Sequence, residues 1–223
     1  MAIIEPVKQN PLHPSETRKY SLSIRLWHWL NALVITGSLL TVLLNSTLTD
    51  KRVTGAVIAE QAVKSGLNIS ADVANQIGHE LEDKVWDVHA YIGFVLVALL
   101  LWRIIYEIVS PTSQSLFRKV NVARLALKNG GEEARLARHE LVVKLLYFAL
   151  YLVLILMGTT GLMLYFKHNL GLDRALSHSI QEVHGFCMYL VIAFIVVHVA
   201  GVLLAERKQS PGIVSDMING GGK

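Results

Sequence analysis

Four apolar runs, each long enough to cross a bilayer, limit what this chain can become. They cover residues 24–45, 88–109, 143–165 and 183–204, and a helix needs roughly 20 residues to cross a hydrocarbon core of about 30 Å. Inside lipid every backbone N–H and C=O must be satisfied within the segment, so such runs are helical. With 52% hydrophobic and only 17% charged residues, the chain lies outside the soluble globular range. The fold expected is all-α: an integral membrane four-helix bundle, up-down-up-down, with residues 1–223 forming one domain.

An even number of spans puts both ends on one side, and Lys and Arg decide which, because cytoplasmic loops carry the excess. Counting Arg25 at the very start of the first span, thirteen lie before that span, between the second and third, or after the fourth, against six in the other two loops. Both termini are therefore expected in the cytoplasm. The same bias accounts for the net charge of +4 without nucleic acid. The first residues carry Pro11, Pro14 and scattered charges with no compact apolar core, so they read as a cytoplasmic arm rather than a cleavable signal peptide. The basic connection between the second and third spans, broken at Gly130 and Gly131, suits anionic headgroups. The outer loop 46–87 is acidic, with Asp72, Glu80, Glu82, Asp83 and Asp87. In it Ile69, Val73, Ile77, Leu81 and Val85 recur every four residues after Ser70, a possible cap, which predicts an amphipathic surface helix that packs on the bundle end or docks a partner.

The histidines carry the chemistry. His184 and His198 lie fourteen residues apart in the last span, which on a helix means roughly 21 Å of rise and about 40° of rotation. Polar side chains at membrane depth are costly and by default mark function. His28 lies near the inner start of the first span, between Trp27 and Trp29, which suit an interfacial belt. His89 lies at the outer end of the second, with Gly93 one turn on leaving room for a flat ligand. Topology then puts His28 and His198 in the inner leaflet, and His89 and His184 in the outer.

Bis-imidazole ligation of two b-type haems, one pair above the other, accounts for all four. The single cysteine, Cys187, excludes a CxxCH attachment, so the haems would be held non-covalently. Cys187 itself reads as a packing residue. Zinc would want its ligands around one point, and a metal or proton transporter, the competing class, would place carboxylates at mid-membrane depth, where these spans have none. An anchor with no redox role leaves the histidines unexplained. Arg103 would either snorkel to the interface or pair with a haem propionate. Gly158 and Gly161, with Thr159 and Thr160, suit close helix packing or contact with a ring edge. His139, His168 and His178 read as solvated.

Taken together, Arg25, Trp27, His28 and Trp29; His89, Gly93, Arg103 and Ile104; Thr160, Gly161 and Tyr165; His184 and His198; and the terminal Ser215, Met217, Ile218, Asn219 and Gly220 resemble the bacterial cytochrome b561 superfamily. The likeness is greatest to the b-type cytochrome subunits of membrane-bound nickel-iron hydrogenases, from which the long acidic first loop departs. The resemblance implies a multi-pass protein of the bacterial inner (cytoplasmic) membrane that carries electrons between an oxidoreductase or cytochrome partner at the outer face and membrane quinone. It implies an outer haem on His89 and His184 and an inner one on His28 and His198. Quinone would react near the inner haem, where Arg25 and Asn31 are the candidate polar groups, unless Asn31 only hydrogen-bonds within the bundle. A stand-alone quinol-oxidising cytochrome b561 is the alternative.

Overall fold

The computed structural model describes residues 22–109, 131–208 and 212–220. They form α1 (Leu22–Thr47), α2 (Lys51–Lys64), α3 (Ala71–Val109), α4 (Gly131–Tyr165), α5 (Arg174–Lys208) and α6 (Ile213–Asn219), with no strand among the described residues. Helices α1, α3, α4 and α5 are long and apolar enough to cross a membrane, and each contains one of the expected spans. The N-terminal arm, most of the basic connection and the side chain of His139 lie outside the described residues.

The distribution of polarity is that of a lipid-embedded chain. Leu33, Leu43, Trp102, Leu152 and Val196 are exposed, whereas Asn31, Thr41, Asn45, Arg103 and Thr160 are buried. Lipid accepts the apolar exterior and leaves polar groups to find partners inside.

Two compact units divide the chain, and α1 and α3 each run through both. The unit of residues 31–98 holds α2, for which the sequence raised no expectation. Asp50 caps its start, accepting the Arg52 N–H at 2.9 Å. Its end is a Schellman turn: the Gly66 N–H bonds the Val63 carbonyl at 3.0 Å and the Leu67 N–H bonds the Ala62 carbonyl at 2.9 Å. Gly66 takes φ +73°, where a side chain would be strained.

Helix α3 starts where Ser70 accepts the Val73 N–H at 3.3 Å, so the expected cap is real. The surface helix and the second span, however, are one unbroken helix of 39 residues. At 1.5 Å per residue it is about 58 Å long, about twice the hydrocarbon core. Its packed face also differs from the expected stripe. Val73, Ile77 and Leu81 are exposed, whereas Ala74 and Gly78 are buried against α2, where Gly55 is buried in turn. Small residues won because they let two backbones touch: a Cβ on Gly78 would sit 3.0 Å from the Lys51 carbonyl oxygen and 3.2 Å from the Gly55 nitrogen.

The other unit contains the first turns of α1, the last turns of α3, and α4 to α6. Its most extensive helix packing is α4 along α5, and α6 folds back on α5.

Because the atoms facing Gly78 are backbone, they cannot rotate away, and Gly78→Ala should cost about 1–3 kcal/mol of α2 docking. Limited proteolysis within residues 51–66 should accelerate by roughly tenfold, while Gly201→Ala, which has open space around it, should leave it unchanged.

Candidate functional site

In the unit of residues 31–98, α3 directs His89 onto α1. Its Nδ1 lies 2.8 Å from Thr41 Oγ1 and 3.4 Å from Ser38 Oγ. The Thr41 hydroxyl donates to the Ser38 carbonyl at 2.6 Å, so its oxygen is the acceptor for the His89 Nδ1–H. That tautomer leaves the Nε2 lone pair available to a metal. The Trp86 ring stands edge-on to the imidazole at 5.4 Å. One turn along, a Cβ on Gly93 would meet nothing within 4 Å, so the space beside the histidine is open.

His184, in the other unit, is held by the same device from a different helix. Its Nδ1 lies 3.0 Å from Thr160 Oγ1, and the Thr160 hydroxyl donates to the Leu156 carbonyl at 2.7 Å. The ring also rests on Gly161, where a Cβ would come within 3.2 Å of His184 Cε1. The glycine in the third span thus contacts a ring edge, the ring being an imidazole. Cys187, one turn on, is free and buried, as a packing residue should be.

At the opposite end of α5, His198 faces His28 of α1, with ring centres 6.2 Å apart and planes inclined by 51°. Phe194 stacks on His198 at 5.8 Å and 7°, Tyr147 meets its edge at 6.4 Å, and Trp29 stands edge-on to His28 at 5.1 Å. His28 Nδ1 is buried and makes no hydrogen bond among the described residues.

The remaining candidates divide. Arg103 does not snorkel: it is only 8% exposed, with its guanidinium 5.7 Å from the Trp27 and Tyr106 rings. Trp27 in turn donates to the Leu99 carbonyl at 3.3 Å and leans on Tyr151 at 6.3 Å, so it faces protein rather than an interfacial belt. Arg25 reaches the Ile218 carbonyl at 2.7 Å. Asn31 is buried. His168 and His178 are exposed, as expected. Sequence reading missed Ser38, Thr41 and the aromatic shells around the histidines. Helical spacing shows which side chains share a face of one helix, and these partners come from other helices or, for Trp86 and Phe194, from the preceding turn, where spacing alone does not distinguish a ring contact from ordinary packing.

The His28 and His198 spacing suits a metal between them. A metal–imidazole nitrogen bond is about 2 Å, so rings opposed across one ion have centres roughly 6 Å apart. Among the described residues no three His, Cys, Asp or Glu side chains converge to hold an ion. The family model for prokaryotic cytochrome b561 matches residues 19–220. This chain belongs to that family. No curated protein and no solved structure matches it. Membership of a b-type cytochrome family makes it a haem b electron-transfer protein of the membrane. The histidines, the anchored Nδ1 atoms and the open space at Gly93 fit that group.

An acceptor hydrogen-bonded to the other ring N–H orients a ligating imidazole and raises its basicity. Thr41→Val and Thr160→Val should each lower haem affinity on the order of tenfold, read by haem loss to a competing apoprotein. Gly161→Ala, which pushes the His184 ring, should do the same, whereas Gly201→Ala should not.

Proposed function

We propose that this cytochrome b561 family member holds two haems b, one on His28 and His198 and one on His89 and His184, and passes electrons across the bilayer between a redox partner at the outer face and the quinone pool. The observation that carries the reading is the His28–His198 pair, two imidazoles facing each other 6.2 Å apart where α1 and α5 begin and end their membrane runs. Support for the outer pair comes from topology, which gives His89 and His184 the same depth, and from their identical threonine anchoring. His184 and His198 sit fourteen residues apart on α5, roughly 21 Å of rise, so one helix carries a ligand for each haem.

Bound haem would supply a one-electron carrier, ferric or ferrous. The chain contributes orientation and environment. Thr41 and Thr160 keep the Nδ1 protons of their histidines engaged, so each Nε2 stays a donor to metal. Phe194 stacks on His198 and Tyr147 meets its edge, so two aromatic rings fix the imidazole's plane. Arg103, buried beside Trp27, offers a guanidinium to a propionate. Arg25 and Asn31 are the groups proposed to meet a quinone carbonyl, with Asn31 three residues along α1 from His28. With the termini in the cytoplasm, this would place quinone chemistry on that side of the inner membrane.

A pyridine haemochrome assay of purified protein should give two haems b per chain, and His198→Ala should leave one; retention of both would show the ligand assignment to be wrong. A quinol added to oxidised protein should reduce haem, and Asn31→Leu should slow that reduction by about tenfold, the loss of one hydrogen bond. An unchanged rate would remove Asn31 from the quinone site.

A further inference from the structure

Helix α6 is seven residues long, too short to be stable by itself, yet both of its ends are tied to other helices. At its start the Glu206 carboxylate of α5 accepts the Gly212 N–H at 2.8 Å and the Val214 N–H at 3.1 Å. These are N–H groups that a helix start leaves without intrahelical partners. At its end Arg25 donates to the Ile218 carbonyl at 2.7 Å and the Trp29 indole N–H donates to the Met217 carbonyl at 3.1 Å, using carbonyls that a helix end leaves open. The last turn closes at Gly220, with φ +94° and its backbone against the Arg25 guanidinium. A Cβ there would lie 3.1 Å from Arg25 Cζ.

The three anchors flank the two facing histidines. Arg25 and Trp29 bracket His28 on α1, and Trp29 also stands edge-on against its ring. Glu206 lies eight residues beyond His198 on α5, about two turns.

We propose that α6 is the bracket that sets the spacing and relative angle of His28 and His198, with Trp29, Arg25 and Glu206 as positioning residues for the inner haem. The proposal rests on the assignment of that haem to His28 and His198. Trp29 is the coupling element, because one side chain both binds the end of α6 and contacts the ligand ring. Loosening any anchor frees the α1 end to shift relative to α5, changing the angle between the axial imidazoles and the preference of the site for ferric or ferrous iron.

The test uses full-length protein carrying Trp29→Phe, Gly220→Ala, Glu206→Gln or Glu206→Ala. Trp29→Phe keeps an aromatic ring beside His28 and removes the indole N–H that binds Met217. Ferric EPR, whose g-values follow the angle between axial imidazole planes, and a redox titration read the two haems separately, the inner one being the signal that His198→Ala removes. The expected result is an altered inner-haem g-tensor and a change of about tenfold in its ferric/ferrous equilibrium, which is about 59 mV for one electron. The outer haem should keep its signal, and Glu206→Gln, which retains one acceptor oxygen, should fall between wild type and Glu206→Ala. An unchanged inner signal in all four variants overturns the bracket, and so does an equal change at both haems, which would mark general loosening. Retention of both haems in His198→Ala would instead overturn the ligand assignment, so the two failures are distinguishable.

Discussion

An imidazole at membrane depth has one N–H to satisfy and no water to satisfy it, and the site is organised around that constraint. A bare histidine would spend its lone pair and proton on whatever was near. Here Thr41 and Thr160 take the proton at Nδ1 and pass their own hydroxyl protons to carbonyls of their own helices. Threonine suits the task because its hydroxyl can donate to a carbonyl within its own helix while its oxygen still accepts. What is left over is one directed lone pair per ring, the group that the proposed haem ligation would use.

Much of this was legible in the sequence, and the division has physical causes. Four apolar runs became four membrane-length helices because length and hydropathy act locally. His28 and His198 meet because an up-down chain brings equal depths together. Thr41 was invisible, since its partner is His89 on another helix and no local period marks it. Helix α2 was passed over because its core is Gly55 and small neighbours rather than a stripe of large residues, although Asp50 and Gly66 are ordinary start and stop signals. In α3 the surface helix and the second span were expected as two elements, yet Glu80, Glu82, Asp83 and Asp87 are good or tolerable helix formers and nothing among them breaks the helix between the two. Arg25 stood out as a charge near the first span, but its partner is a main-chain carbonyl, which no side-chain pattern advertises.

The His28–His198 pair shows a second way of holding an imidazole. His28 has no hydrogen-bonded partner at Nδ1 among the described residues, and its surroundings are rings: Trp29 at its edge, His198 across from it, and beyond that Phe194 and Tyr147. Orientation there comes from shape and from the helices that carry the rings. The two kinds of site differ in what disturbs them. A threonine-anchored histidine responds to loss of one oxygen, whereas a packed one responds to movement of a whole helix.

The continuity of α3 has a consequence for how sequences of this type can change. Between Ala71 and His89 there is no loop to absorb an insertion or deletion. One added residue would turn everything outward of it by about 100° and shift it by about 1.5 Å relative to the histidine, carrying Gly78 away from Gly55. Length is therefore locked along this stretch, while composition on the exposed face is free to drift. Related chains would diverge there by substitution and keep their register, so the exposed face of this stretch can be rewritten residue by residue without re-aiming His89.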